Sequence, residues 1–165
     1  RERIYLVGFH REKVKGYEKF KFPDPQGSKV SISQILESNV DINHFISEKY
    51  WQTLKAHKER HQLKGNGFGY EIIPREGIAN TVVVGGMGKE RNLVKDLSLP
   101  TGQASRKLNE ESVRVMTNRE WARLQGYPDS FVFPCSKSAT YKQLGNSVAI
   151  KVIAAIAAEI KLILK

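Results

Sequence analysis

Cysteine is nearly missing from this sequence, since only Cys135 occurs among its 165 residues. A single cysteine excludes an internal disulfide and is too few for a cysteine-based zinc cluster, which fits a reducing cytoplasm. The chain also lacks a signal-like apolar region at its start. Its apolar C-terminal segment carries charges and is too short to span a bilayer well. We therefore expect a cytoplasmic protein with no membrane partner and no bound metal.

Acidic residues are also scarce in this chain. Lys and Arg number 27 against 17 Asp and Glu, which gives a formal charge of +10 and a pI near 9.7. The basic residues are spread along the chain and are not massed in a tail. This balance favours a polyanionic partner such as nucleic acid over a membrane surface, and an incidental basic surface is the alternative.

The two ends of the chain contain apolar segments that need partners. The run "IYLVGF" has the length and continuous apolarity of a strand buried on both faces, so sheet neighbours are required. Residues 148–164 predict a helix that is interrupted only by Lys151, Glu159 and Lys161, and such a helix needs cover. Because the chain has no initiator Met and starts inside an expected strand, we expect that sequence upstream is missing.

Capping signals predict two helices in the middle of the chain. The stretch "ISEKYWQTLKAHKERHQLKG" predicts a helix that Ser47 opens and Gly65 closes. Trp51 and Leu54 lie on one stripe of this helix, and its other face is basic. A shorter helix is expected in "SISQILES".

The second helix that capping signals predict lies in "VMTNREWARLQGYPDSF". Here Thr117 and Glu120 have the spacing of a capping box, and Gly126 with Pro128 stop the helix. The glycine-rich stretch from residue 65 to residue 96, with its short β-branched runs, predicts twisted strands joined by tight turns.

Three short motifs resemble ligand sites but have the wrong spacing. "GNGFGY" places its third glycine one position too early for a dinucleotide fingerprint and follows a helix, so its glycines are better interpreted as turn residues. "GGMGKE" has Glu90 where a P-loop needs Ser or Thr. "HKERH" places His57 and His61 one helical turn apart, but Glu59 is displaced from the metalloprotease position, so two histidines on a solvated basic face are expected.

Three other segments match one family in its own order. "RERIYLVGF" at the start, "NREWARLQGYPDSF" in the middle and "YKQLGNSVAIKVIAAIA" at the end resemble the last three sequence blocks of the DNA (cytosine-5) methyltransferases. The resemblance spans essentially the whole chain. It implies an α/β protein overall, or mixed α+β fragment, in which a target recognition domain rich in short strands is flanked by pieces of a Rossmann-like methyltransferase domain. The implied segments are 1–35 for the catalytic strand region, 36–136 for the recognition domain and hinge, and 137–165 for the final block and helix.

The resemblance also implies a reaction and a partner. In the family, the enzyme flips a cytosine out of double-stranded DNA, a cysteine attacks C6, and S-adenosylmethionine methylates C5. Arg1 and Arg3 match the arginine pair that serves the active site, where the second arginine helps hold the flipped cytosine, a role that suits a guanidinium fork. Phe68 falls where some members fill the hole left by the flipped base, although a core aromatic is the alternative, and Thr81 matches a phosphate contact.

Further positions are assigned by the same resemblance. Lys89, Arg91 and Arg106 lie in turn-rich sequence where phosphate or guanine contacts are expected, although a charged surface loop is the alternative. The residues implied to organise the recognition domain, a structural role, are Arg119, Glu120 and Arg123. In "GNSV", Gly145 would let the backbone turn, Ser147 could cap the final helix, and the residues implied to border the S-adenosylmethionine pocket are Asn146, Ser147 and Val148.

The family's earlier blocks are absent from this sequence. No Phe-x-Gly-x-Gly cofactor loop, Pro-Cys-Gln nucleophile loop or Glu-Asn-Val block occurs, and Cys135 lies on the wrong side of the recognition domain. The chain thus resembles the C-terminal recognition portion of a bacterial restriction-modification methyltransferase, a cut fragment or one subunit of a split enzyme. Its partners would be DNA and the missing catalytic part, and alone it should be inactive.

The target sequence and two other classes of function stay open. "HQLKGNGFGY" resembles the Dcm and EcoRII type of these enzymes, which implies a CC(N)GG-like site. A non-catalytic basic nucleic-acid-binding module would explain the charge but leaves the terminal helix unexplained. A scaffold piece whose helix forms an oligomer interface is the third alternative, and salt-sensitive DNA binding separates it from the other two.

Overall fold

The fold is described from a computed structural model in which residues 4–25, 27 and 29–165 are described. These residues form a mixed α/β structure, which confirms the expected fold class. The helices are α1 Glu48–Leu63, α2 Asn118–Leu124, α3 Lys137–Asn146 and α4 Ile150–Ile163, with single 3₁₀ turns at Tyr17–Lys19, Ile32–Gln34, Ile42–His44 and Glu90–Asn92. The strands are β1 Leu93–Lys95 and β2 Val113–Val115, which pair antiparallel with Val94 opposite Arg114.

The expected wealth of short strands is only partly present. Within the described part of the chain the sheet has two strands, and isolated bridges such as Ile72 to Leu93 connect the remaining extended segments. Among the described residues, seven glycines have positive φ, including Gly85 and Gly86. Because each such residue turns the backbone, the glycine-rich stretch forms tight turns more than it forms strands. The helix expected in "SISQILES" is a single 3₁₀ turn.

The chain divides into two compact units, Lys29–Ser147 and a second unit made of Arg1–Ser28 with Val148–Lys165. The larger unit contains two clusters of buried apolar side chains. One cluster includes Ile32, Met116 and Trp121, and the other is formed around Trp51 and Leu93. Burial of such large side chains supplies most of the favourable free energy of folding.

The predicted helix between Ser47 and Gly65 is confirmed. Ser47 Oγ accepts a hydrogen bond from the Tyr50 N–H at 3.2 Å, and Gly65 follows the helix with φ of 74°. Trp51 and Leu54 are both buried, as their shared stripe predicted. The N-cap satisfies one of the free N–H groups of the first turn, and the glycine ends the helix in a left-handed conformation.

The capping box of α2 is also confirmed. The Glu120 N–H donates to Thr117 Oγ1 at 3.1 Å, and the Thr117 N–H donates to Glu120 Oε2 at 2.8 Å. Gly126, with φ of 84°, stands two residues beyond the last helical residue. The local sequence therefore determines both ends of this helix.

The roles expected for Gly145 and Ser147 in the "GNSV" stretch were wrong in two respects. Gly145 lies inside α3 and not in a turn, and a Cβ there would be 2.3 Å from Val84 Cγ2. Glycine is needed because the segment at Val84 packs directly against the helix. Ser147 ends α3, with its Oγ–H donating to Leu144 O at 2.7 Å, whereas Ala149 precedes α4 and provides no side-chain cap.

The smaller unit contains the apolar segments of both chain ends. The predicted helix at residues 148–164 is confirmed as α4, in which Ile156 is buried while Val152, Ile153 and Leu162 are exposed. Leu164, which caps the end of α4, is exposed as well. The strand expected in "IYLVGF" was wrong, because its described residues form no strand, and Ile4 and Leu6 are 87% and 92% exposed. A strand requires a ladder, and no described segment pairs with this one.

Candidate nucleic-acid interface

A short loop after α1 exposes the aromatic side chain that the sequence singled out. Phe68 lies between Gly67 and Gly69 and is 68% exposed, which excludes the alternative of a core aromatic. The backbone here lies close to α1, because a Cβ on Gly69 would be 2.8 Å from Lys58 Cγ. The loop therefore presents an apolar ring to the surroundings from a backbone that packs on a helix.

The helix beside this loop is basic, and its cations are not all engaged. Lys58 Nζ lies 4.6 Å from the centre of the Tyr70 ring, and Lys55 Nζ pairs with Glu111 Oε1 at 3.2 Å. Arg60 and Lys64 are exposed, and none of the carboxylates among the described residues forms an ion pair with them. Two cations near the end of α1 are thus available to bind phosphate.

Thr81 is exposed and directly follows Asn80, whose backbone and side chain are both hydrogen-bonded. The Asn80 N–H donates to Asn92 Oδ1 at 2.7 Å, and Asn80 Nδ2 donates to Glu71 Oε2 at 2.7 Å. Asn92 is completely buried and donates back to Asn80 O at 3.2 Å. The two asparagines were not singled out from the sequence, where each looks like an ordinary loop residue, and they position the backbone that leads into Thr81.

The three cations proposed from the turn-rich sequence lie in different surroundings. Lys89 is half-buried with Nζ 4.0 Å from the centre of the Tyr141 ring, an interaction that already engages its charge. Arg106 is exposed but donates to Phe45 O at 3.1 Å. Arg91 is exposed, and none of the described carboxylates forms an ion pair with it. Of the three, Arg91 is therefore the exposed cation whose charge is least engaged by the contacts of the described residues.

A buried ion network supports the "NREWARLQGYPDSF" segment. Arg114 and Glu120 are both completely buried, and the guanidinium nitrogens donate to the two carboxylate oxygens at 2.8 Å each. Arg114 Nε also donates to Asp96 Oδ2 at 2.6 Å. Burial lowers the pKa of Arg114, but the hydrogen bonds and charges of Glu120 and Asp96 more than offset this, so its pKa is raised above the ordinary value.

Sequence reasoning missed Arg114 and Asp96. Arg114 stands between two valines in β2, where strand alternation places a polar residue on a solvent face. No signal in the sequence shows that this face is covered by α2. Glu120 was singled out, and its carboxylate also accepts a hydrogen bond from the Glu37 N–H at 2.9 Å, so one side chain connects three segments.

The two arginines of α2 make contacts that hold neighbouring loops. Arg119 donates to Phe131 O at 2.8 Å and its guanidinium lies 4.8 Å from the centre of the Phe133 ring. Arg123 donates to Ile35 O at 2.9 Å and pairs with Asp129 Oδ2 at 2.7 Å. Both side chains thus tie the helix to the chain that follows it, and Arg123 also ties it to residues near position 35.

The residues assigned to the active site and the cofactor are described only in part. Arg1 and Arg3 lie outside the described residues. Asn146 is exposed and ends α3, whereas the Ser147 N–H donates to Gln143 O at 2.9 Å. Val148 belongs to the other compact unit and is half-buried.

Cys135 has neutral polar neighbours. Its Sγ lies 3.3 Å from Thr140 Oγ1 and 3.4 Å from Gln143 Oε1, and the residue borders a pocket of about 430 Å³. Cys135 also directly precedes Ser136, the N-cap of α3. That Cys135 is not a nucleophile stays a prediction from the sequence.

No group of three or more His, Cys, Asp or Glu side chains is arranged to hold a metal ion in residues 4–25, 27 and 29–165. Over the same residues, none of the helices combines the length and the apolar character that crossing a membrane requires.

Solved structures with a similar fold are methyltransferases. The Entamoeba histolytica methyltransferase EhMeth aligns with 89% of this chain and 45% of its own, with a TM-score of 0.59 and 21% identity. The S. pombe Dnmt2 methyltransferase aligns with 83% of this chain and 44% of its own, with a TM-score of 0.53 and 19% identity. These similarities define the class of fold and nothing finer.

Sequence comparison identifies the family. The family model for C-5 cytosine-specific DNA methylase matches residues 1–162, so the chain belongs to that family. The Type II methyltransferase M.HpaII of Haemophilus parainfluenzae is 53% identical over 160 residues, which cover 94% of this chain and 44% of that protein. The DNA-cytosine methyltransferase of Escherichia coli K12 is 31% identical over 173 residues, which cover 95% of this chain and 36% of that protein. The chain thus spans less than half the length of these relatives.

Proposed function

We propose that this chain is the DNA-recognition portion of a DNA (cytosine-5-)-methyltransferase that acts within a restriction-modification system. The observation that carries the proposal is the exposed Phe68, which a glycine-flanked loop presents beside the basic end of α1. An enzyme that extrudes a base must compensate the lost stacking, and an apolar ring on a firmly held loop meets that need. Membership of the family and the formal charge of +10 support the same function.

The proposed reaction transfers a methyl group from S-adenosylmethionine to C5 of a cytosine in a short CC(N)GG-like site. The cofactor supplies the methyl group, and this chain supplies recognition of the duplex. Arg1 and Arg3 would serve the active site, where Arg3 would help hold the flipped cytosine, and Asn146, Ser147 and Val148 would contact the cofactor. Support for these five positions is the match of their sequence blocks to those of the family. The exposed amide of Asn146 is chemically suited to a polar ligand.

The structural part of the proposal concerns how the recognition segment is held. Arg119, Glu120 and Arg123 would fix it to the rest of the protein through the contacts described above. Phe68, Thr81, Lys89, Arg91 and Arg106 would face DNA. The segments 1–35, 36–136 and 137–165 remain our prediction for the division of labour, and the missing catalytic part would be provided by the same polypeptide or by a complementary subunit.

Methyl transfer by the full-length protein tests the reaction. Radiolabelled S-adenosylmethionine is supplied with a duplex that contains CC(N)GG and with a matched duplex in which that site is scrambled. We expect label in the first duplex only, and protection of that duplex from restriction enzymes that cut CC(N)GG. Label in both duplexes, or in neither, contradicts the proposed site.

The purified 165-residue chain tests the division of labour. We expect it to bind duplex DNA in a salt-dependent manner and to transfer no methyl group, because it has no Pro-Cys-Gln loop. Methyl transfer by this chain alone contradicts the proposal. Binding that no catalytic part ever converts into activity would favour a non-catalytic DNA-binding module.

A further inference from the structure

The two histidines of "HKERH" form a row of rings with the exposed aromatic residue of the loop. His57 and His61 lie one turn apart on α1, with ring centres 4.3 Å apart and ring planes at 43°. The His61 ring meets the Phe68 ring edge to face, with centres 5.7 Å apart and planes at 74°. The contact between His61 and Phe68 connects the basic helix to the ring that we propose enters DNA.

His61 is also fixed by hydrogen bonds to the same loop. Its Nδ1–H donates to Asn66 Oδ1 at 2.6 Å, and the Asn66 N–H donates to His61 O at 3.1 Å. Because an amide oxygen only accepts, Nδ1 carries the proton in this arrangement. The bond fixes the tautomer and the orientation of the imidazole, so the ring that contacts Phe68 is held in place.

His57 supports this arrangement from the other side. Its Nδ1 is buried without a hydrogen-bond partner among the described residues. Desolvation, followed by the charges of His61 and Arg60, lowers the pKa of His57 below its ordinary value. The neutral form of the His57 ring is therefore favoured where it packs against His61.

We propose that His61 is a positioning residue that holds Phe68 ready to enter the base stack of duplex DNA, with Asn66 fixing the His61 ring. This inference rests on the proposed role of Phe68. An exposed phenylalanine on a free loop would have to be ordered at the moment of binding, and ordering costs affinity. The ring contact of Phe68 with His61, together with the close approach of the neighbouring Gly69 backbone to Lys58, reduces that cost before DNA arrives.

Base extrusion by the full-length protein provides the test. The probe is a duplex that carries 2-aminopurine in place of the target cytosine, because its fluorescence rises when it leaves the stack. Phe68→Ala and His61→Ala are each expected to lower this rise by about fivefold, the scale of one lost aromatic contact. His61→Phe keeps a ring against Phe68 and should recover most of the signal. Gln62→Ala changes an exposed neighbour on the same helix and should behave as the unchanged protein.

The double variant separates positioning from a direct or purely structural role. If His61 acts through Phe68, adding His61→Ala to Phe68→Ala lowers the signal no further. If His61→Ala lowers the fluorescence rise in the Phe68→Ala background as much as it does alone, the proposal is overturned. It is also overturned if His61→Ala alone leaves the fluorescence rise unchanged, or if His61→Phe does not recover the rise that His61→Ala loses. If Phe68→Ala retains the full signal, the assignment of Phe68 and this inference both fail, while methyl transfer to the unmodified duplex still reports on the proposed function.

Discussion

The Glu120 carboxylate accepts hydrogen bonds from both terminal nitrogens of the Arg114 guanidinium at 2.8 Å, and both side chains are completely buried. The same carboxylate closes the capping box of α2 and accepts a bond from the Glu37 N–H. Removing charges from water is costly, and the bonds that satisfy every oxygen offset this cost. Among the described residues, loss of Glu120 therefore leaves the buried Arg114 guanidinium with Asp96 as its remaining ionic partner and with two nitrogens that have lost their carboxylate acceptor.

Glu120→Gln should destabilise the protein by about 3–5 kcal/mol, the range for breaking a buried pair from one side. Thermal or urea-induced unfolding measures the change. Glu110→Gln is the matched control, because the Glu110 pair with Lys107 is exposed, and its loss should have little effect. Equal destabilisation by the two variants would show that the buried network is not special.

Asp96→Asn should destabilise the protein most at neutral pH and progressively less in acid. Burial raises the pKa of Asp96, but hydrogen bonds from Ser98 and Arg114 together lower it by more than burial raises it. The folded-state pKa therefore lies below the ordinary value of 3.8. Stability from such a carboxylate is fully present above its unfolded pKa and is lost as pH falls through the folded pKa.

The thermal unfolding midpoints of the unchanged protein and of Asp96→Asn, measured from neutral pH down to about pH 3, test this dependence. The difference between them should be constant above about pH 5 and should shrink below 3.8. A difference that grows in acid would have the wrong sign for a lowered carboxyl pKa.

Gly145→Ala should destabilise the protein although alanine is the better helix former. The propensity gain is about 1 kcal/mol, whereas overpacking costs about 1–3 kcal/mol. A Cβ here would lie 2.3 Å from Val84 Cγ2 and 3.2 Å from the Val84 N, so backbone as well as side chain must move. Val84→Ala in the same chain should restore part of the loss. Gly8→Ala, where a Cβ meets nothing within 4 Å, is the control for glycine replacement; loss of equal size there would contradict the argument.

Arg91→Ala should weaken binding of the full-length protein to duplex DNA by a similar factor for all sequences. A phosphate contact carries no sequence information, and its removal lowers the slope of log affinity against log salt by about 1. Titrations at several salt concentrations, with a CC(N)GG duplex and a scrambled duplex, measure both quantities. Lys107→Ala removes an exposed cation that pairs with Glu110 and should leave the slope unchanged. A loss restricted to the CC(N)GG duplex would instead indicate base readout by Arg91.

Local signals predicted the helices but not what they pack against. Ser47 with Gly65 marked α1, and Thr117 with Glu120 marked α2, because caps act within one turn of the residues that carry them. The same type of reasoning missed α3 and placed Gly145 in a turn. The reason for glycine at that position is the distant segment at Val84, and no local pattern reports such a contact.

The candidate interface was predictable to a similar extent. The sequence singled out Phe68 from its glycine neighbours and its resemblance to the family, but it left open whether the ring was buried or exposed. From the sequence, His57 and His61 were interpreted as solvated residues, whereas the His57 ring packs with the His61 ring and the His61 ring packs with Phe68. Ring contacts of this kind depend on how the loop folds back on α1, which the spacing of residues does not encode.

The sequence by itself determined the family, the basic charge, the ends of α1 and α2 and the apolar character of α4, because composition, caps and periodicity act over short distances. Only the tertiary structure decided that Arg114 and Glu120 share a buried site, that Phe68 is exposed beside His61, and that "IYLVGF" forms no strand here. These outcomes depend on which segments distant in the sequence contact each other, because such contacts determine whether a side chain is buried and whether a strand finds a partner.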